Sequence, residues 1–173
     1  NKQKINNNST LTHLLPIQII SPDKGFIVGG APKLKRSYLD WGVFHMEPTM
    51  LKTYKSFSRA LKNTNSLFSG GDNRQLDYWF FELANLSVEI SLARINYIER
   101  LSKKIEWPFL FKTNKSFNLN KPPSFLFNSG WTKDVNCLDQ EMVYGFLKKN
   151  TNSFAKVKHL NYGPHKATID FIL

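Results

Sequence analysis

The sequence predicts an α+β fold, formed as a single domain around a long central helix at about residues 73–105. Three observations support this. Residues 72–105 contain no proline and no glycine, the two strongest helix breakers. Apolar residues recur at three- and four-residue steps from Leu76 to Leu101, which places them on one face of a helix. Short apolar runs bounded by turn residues near both ends of the chain predict short antiparallel strands.

The central helix carries a second apolar stripe. Gly70-Gly71 precede it and Pro108 follows it, as expected at helix boundaries, and its length would be roughly 48 Å. A helix that is apolar on two faces is expected to be wrapped by the rest of its domain. The second stripe consists of Phe81, Val88, Leu92, Ile95 and Ile98.

The chain is divided into a basic polar tail at residues 1–10 and the single domain at 11–173. Such a tail is expected to be disordered on its own. The runs at 14–20 and 26–28 flank a Pro-Asp-Lys-Gly turn and predict a hairpin.

A loop is predicted next, where Gly29-Gly30 precede Lys33, Lys35 and Arg36. The spacing does not match the phosphate-binding G-x-x-x-x-G-K-[ST] motif of nucleotide-binding proteins. The loop is therefore interpreted as a contact for nucleic-acid phosphates, with an exposed basic turn as the alternative.

A basic amphipathic helix is predicted at about residues 49–62. Met50, Tyr54, Phe57 and Leu61 form its apolar stripe, and no acidic residue lies between Thr49 and Asn65. One face can therefore dock on the core while the other meets phosphates. A membrane-surface helix and a solvated basic face are the alternatives. The basic stripe consists of Lys52, Lys55, Arg59 and Lys62.

Further basic segments follow the central helix. Residues 112–123 are predicted as an extended loop carrying Lys112 and Lys115, and residues 138–149 as a short helix. Residues 154–160 alternate apolar and basic side chains and are predicted to form a hairpin with 167–173. The outer face of that hairpin would present Lys156, Lys158 and Lys166.

The sequence lacks recognisable catalytic motifs. It contains no G-x-S-x-G, H-E-x-x-H or dinucleotide-binding glycine pattern, and its one cysteine, Cys137, allows no disulfide within the chain. His45, Glu47 and His165 are the candidates for a hidden nuclease site, but structural roles are favoured. We therefore expect no catalytic residue, metal, cofactor, small-molecule substrate or membrane span.

The net charge of +11 favours a polyanionic partner. This charge, together with a residue usage typical of AT-rich genomes, predicts a non-enzymatic structural RNA-binding protein. The prediction is a ribosomal protein of a mitochondrion or other organelle matrix, otherwise cytoplasmic, with rRNA and neighbouring assembly proteins as partners. The alternatives are a peripheral subunit of an assembly such as a respiratory complex, a nuclease, and a DNA-binding module. The predicted RNA-binding residues are Lys33, Lys35, Arg36, Lys52, Lys55, Arg59, Lys62, Lys112, Lys115, Lys156, Lys158 and Lys166.

Overall fold

The computed structural model describes residues 12, 17, 30–71, 74–105 and 124–172. These residues form a mostly helical α+β structure with a two-stranded antiparallel sheet, so the predicted class holds in this broad sense. In chain order the elements are α1 (Pro32–Met46), α2 (Met50–Gly70), α3 (Leu76–Lys104), β1 (Ser124–Asn128), α4 (Gln140–Lys149), α5 (Thr151–Val157), a 3₁₀ turn (Pro164–Lys166) and β2 (Thr168–Ile172).

Helices α2 and α3 form a hairpin along the centre of the molecule. Gly71 ends α2 in the left-handed conformation, with φ at 72°, which glycine adopts without steric cost. Near the turn, the rings of Phe68 and Phe80 lie 6.2 Å apart. Farther from the turn, Thr53 donates a hydrogen bond to Glu89. This order of contacts makes the two helices antiparallel.

The larger core lies against the first half of α3. Helix α4 begins after Asp139, whose carboxylate accepts a hydrogen bond from the backbone N–H of Met142, as an N-cap residue does. Helices α4 and α5 then bury Leu147 and Phe154 completely. The ring of Phe154 packs 6.1 Å from that of Phe68, which joins α5 to the α2–α3 hairpin.

A smaller core covers the second half of α3. Leu39 of α1, Ile98 of α3 and Ile169 of β2 form its buried centre. Strand β2 pairs with β1 in the register Ser124↔Ile172 to Asn128↔Thr168. A two-stranded sheet is marginal alone, so its packing against α1 and α3 stabilises it.

A partly buried ion pair connects these parts. The guanidinium of Arg94, which is 3% exposed, donates to both carboxylate oxygens of Asp40 at 2.8 and 3.0 Å. It also donates to the backbone carbonyl of Pro164 at 2.8 Å. Burial, and secondly the charge of Asp40, raises the pKa of the neighbouring Tyr54 hydroxyl. Through its bonds to Asp40 and to the Pro164 carbonyl, Arg94 holds α1 and the 3₁₀ turn against α3.

The basic helix extends beyond its predicted end. It begins at Met50 and continues to Gly70, so the predicted end of this helix near Lys62 is wrong. Thr64 and Phe68 are buried on the same face as Phe57 and Ala60, and this packing outweighs the polar composition of the segment. The central helix, predicted at about 73–105, spans Leu76–Lys104.

Two other local predictions are wrong. The loop expected at residues 29–37 is helical from Pro32, because proline is well suited to the first position of a helix. The C-terminal hairpin does not form: residues 151–157 are helical, and β2 pairs with β1 instead. The alternating pattern of 154–160 is misleading because the buried contacts of Phe154 fix a helical turn.

Several predictions concern residues outside the described part of the chain. These are the tail at 1–10, the strands at 14–20 and 26–28, and the loop at 112–123. Among the described residues, no helix has the length and apolar character needed to cross a membrane.

We predict that Arg94→Met lowers the free energy of unfolding by about 3 kcal/mol, because it leaves both the partly buried Asp40 carboxylate and the buried Pro164 carbonyl without their donor. Urea denaturation measures this loss. Lys148→Met is the control, since its ion pair with Asp77 is solvent-exposed and should contribute nothing measurable. Equal losses in the two variants would contradict a central role for Arg94.

Candidate nucleic-acid interface

Helix α2 presents a continuous basic surface to solvent. We call Lys52, Lys55, Arg59 and Lys62 the α2 basic surface; all four are exposed. The opposite side of the helix buries Phe57, Ala60 and Phe68 against α3 and α5. Since α2 contains no acidic residue, these charges are not neutralised within their own helix. They span about 15 Å along the helix axis.

Open grooves run along this surface. The first has a volume of about 520 Å³, and the second, farther along the helix, has about 510 Å³. Their linings contain hydroxyl and amide groups between the cations, and such groups donate hydrogen bonds to phosphate oxygens. These additional polar residues are Thr49, Ser56, Ser58, Asn65, Ser66 and Ser69.

Sequence reasoning missed the serines. A signal existed, because Ser56, Ser66 and Ser69 recur with the cations at steps of three and four residues. That spacing extends the polar stripe past Lys62. Residues 63–71 have the polar composition of a turn, which makes the helical spacing of these serines hard to recognise.

The segment after α5 lies beside the far end of α2. The backbone N–H of Leu160 donates to the side-chain oxygen of Asn65 at 2.9 Å. Lys156 and Lys158 shortly precede Leu160, and both are exposed. The structure therefore brings this predicted basic segment to the end of α2 that carries Lys62.

Four more of the predicted cations belong to α1 or to the 3₁₀ turn. Arg36 donates to the backbone carbonyl of Ala167 at 2.9 Å, so it lies close to Lys166, the residue before Ala167. Burial, followed by the charge of Arg94, lowers the pKa of Arg36. Lys33 and Lys166 are exposed, whereas Lys35 forms an ion pair with Asp170 and is thus less accessible to a partner. Lys112 and Lys115 lie outside the described residues.

The histidines considered for catalysis occupy structural positions. The ring of His45 packs edge-on against Trp41 at 4.5 Å. His165 donates from Nε2 to the carbonyl of Leu160 at 3.0 Å, and burial lowers its pKa to about 4. Within the described ranges, no three His, Cys, Asp or Glu side chains come together as a metal site. The described part of the chain therefore gives no support to a nuclease site at His45, Glu47 and His165.

The chain is similar to the DNA replication and repair protein RecF. It is 34% identical over 170 residues to RecF of Actinobacillus succinogenes, covering 96% of this chain and 44% of the relative. It is 33% identical to RecF of Mannheimia succiniciproducens over 170 residues, covering 96% and 43%. It is also 33% identical to RecF of Haemophilus influenzae over 171 residues, covering 96% and 44%.

A solved structure shows the same fold. The recombination mediator protein RecF–ATP in the RecFOR pathway superposes with a TM-score of 0.72 at 23% identity, over 88% of this chain and 42% of that one. No protein-family model matches the chain. The chain thus spans less than half the length of the RecF proteins it matches.

These comparisons correct the functional prediction. A ribosomal RNA-binding protein is wrong, because the relatives are DNA replication and repair proteins. The predicted partners, rRNA and ribosomal neighbours, are wrong for the same reason. The mitochondrial or organelle location is also wrong, because these relatives are bacterial.

We predict that stability falls as the pH decreases from about 6.5 to about 4. The folded-state pKa of His165 is about 4, below the unfolded value of about 6.5. The unfolded state therefore binds more protons in this window, so the stabilisation present above pH 6.5 is lost on acidification, by up to about 3 kcal/mol.

Urea titrations of His165→Gln and His159→Gln at several pH values test this prediction. The exposed His159 is the matched control, and its replacement should leave the pH dependence unchanged. A pH dependence that persists in His165→Gln would show that another group is responsible.

Proposed function

We propose that this chain is a RecF-like unit that acts in DNA replication and repair, and that its α2 basic surface contacts DNA phosphates. The observation that carries the proposal is the 34% identity to a RecF protein across 96% of the chain. The similarity covers nearly the whole chain rather than a short motif. The similarity to RecF is the basis for proposing a role in DNA replication and repair. The charge distribution is the basis for proposing which surface contacts DNA.

The geometry of α2 supports phosphate binding. Each DNA strand advances about 3.4 Å per phosphate along the axis, so the basic surface, about 15 Å long, can face several phosphates at once. Its lining contains lysine, arginine and hydroxyl groups, which hold a backbone in place without reading its sequence. We assign additional contacts with DNA to four further lysines, which are all exposed: Lys33, Lys156, Lys158 and Lys166.

We further propose that this chain does not itself catalyse a reaction. A solved relative is named as a complex with ATP, but this sequence contains no G-x-x-x-x-G-K-[ST] phosphate-binding motif. Its described residues also form no cluster of three or more metal-ligating side chains. The chain therefore serves as a binding unit, and we assign none of its residues to a nucleotide or a metal.

Replacing Lys52, Lys55, Arg59 and Lys62 together with Gln should weaken binding to a duplex DNA of about 20 base pairs. The plot of log K against log salt should become shallower by about 0.9 for each phosphate that the variant no longer neutralises. Fluorescence anisotropy at several salt concentrations measures both quantities.

A matched variant distinguishes binding at the α2 basic surface from binding that depends only on the net charge of the chain. Lys103, Lys104, Lys133 and Lys149 are exposed but lie outside the α2 basic surface, and replacing them with Gln removes the same amount of charge. This control should keep the salt slope of the native chain. If both variants lose affinity and slope equally, binding depends on net charge and the proposed surface is wrong.

The chain should not hydrolyse ATP, with or without duplex DNA, because we assign none of its residues to the triphosphate or its metal. A phosphate-release assay at micromolar protein concentration tests this. Release above the background of a heat-denatured sample would show that the chain carries an active site.

A further inference from the structure

A small cavity lies within the larger core, with a volume of about 10 Å³. Its walls come from α2, α3, α4, the segment after β1 and residues 160–165. This is about the smallest space that accommodates one water molecule. Most of the lining is apolar, but Ser87, Trp131 and His165 also contribute to it.

Each of these three side chains has a buried polar atom without a hydrogen-bond partner among the described residues. The atoms are Ser87 Oγ, Trp131 Nε1 and His165 Nδ1. A buried polar group left without a hydrogen-bond partner destabilises the fold, so three around one cavity would be a substantial penalty. Because the three residues line the same cavity, a single partner placed there is the simplest way to satisfy all three atoms.

The chemistry of the three atoms specifies that partner. Trp131 Nε1 only donates. His165 donates from Nε2 to the carbonyl of Leu160, so in the neutral ring Nδ1 is an acceptor. The Ser87 hydroxyl can donate or accept. The partner must therefore accept one hydrogen bond and donate another, which water does and a metal cation cannot.

The positions of Trp131 and His165 are constrained by the backbone around them. Gly130 and Gly163 approach closely, since the N–H of Gly163 donates to the carbonyl of Gly130 at 2.9 Å. A Cβ atom on Gly130 would collide with the carbonyl oxygen of Gly163, so only glycine allows the approach. The backbone that carries Trp131 and His165 is thus fixed by a close contact between the two glycines.

We propose that one ordered water molecule occupies this cavity and hydrogen-bonds Ser87, Trp131 and His165. The water oxygen accepts from Trp131 Nε1–H, one water hydrogen is donated to His165 Nδ1, and Ser87 Oγ makes the third bond. Three bonds are typical of buried water in proteins. The water connects the middle of α3 to the segment after β1 and to the 3₁₀ turn. This inference is independent of the proposed function.

The direct test is a high-resolution crystal structure of the chain, combined with NMR. We expect electron density for a water within about 3.2 Å, an ordinary hydrogen-bond distance, of all three atoms. We also expect a cross-peak between the Trp131 indole proton and a long-lived water. Trp41 and Trp79, which do not line the cavity, are internal controls.

Two serine variants test the contribution of the third bond. Ser87→Ala should shorten the residence time of the water about fivefold, as expected for the loss of one hydrogen bond. Ser91→Ala changes a serine buried one turn later on the same helix that does not line the cavity, and it should leave the residence time unchanged. A direct Trp131–His165 hydrogen bond, or a cavity without water density, would overturn the proposal.

Discussion

The ion pair between Arg94 and Asp40 is the interaction on which the arrangement of this molecule depends. A buried guanidinium carries a large desolvation penalty, and here it is offset by two bonds to Asp40 and one to the Pro164 carbonyl. Because Arg94 lies in the middle of α3, satisfying it requires α1 and the 3₁₀ turn to pack at the same point. The two cores of the molecule, one on each half of α3, are joined there.

This arrangement determines which surfaces remain free. Helix α3 packs against α1, α2, α4 and the sheet, and α2 contributes its apolar side to that packing. The expectation that α3 is wrapped on both apolar faces is wrong in part, because Phe81 and Leu92 of its second stripe are exposed. The charged side of α2 is then necessarily turned to solvent, with no acidic residue of its own helix to neutralise it. The same packing brings Arg36 to Lys166, and Lys158 toward the end of α2. Contacts within the fold thus bring basic segments that are far apart in the chain together in pairs.

The elements that the sequence predicts correctly are those with long, regular periodicity. The central helix and the start of α2 are predictable because apolar residues recur over many turns. The end of α2 is not, because the polar residues near Asn65 hide the buried Thr64 and Phe68. The pairing of β1 with β2 and the contact of Arg94 with Asp40 join residues far apart in the chain, and local patterns carry no information about such contacts. The net charge of +11 favours a polyanionic partner in general, but it does not distinguish RNA from DNA, so it could not prevent the wrong prediction of an rRNA-binding protein.

The central claim is that the outer side of α2 is the surface that meets DNA. Site-specific photo-crosslinking tests it most directly, with a photoreactive amino acid placed at Ser56, between Lys52 and Arg59, or at the exposed Met142 on α4. With a duplex DNA at moderate salt, we expect cross-links from position 56 and few from position 142. Equal yields at the two positions, or a higher yield at 142, would contradict the account.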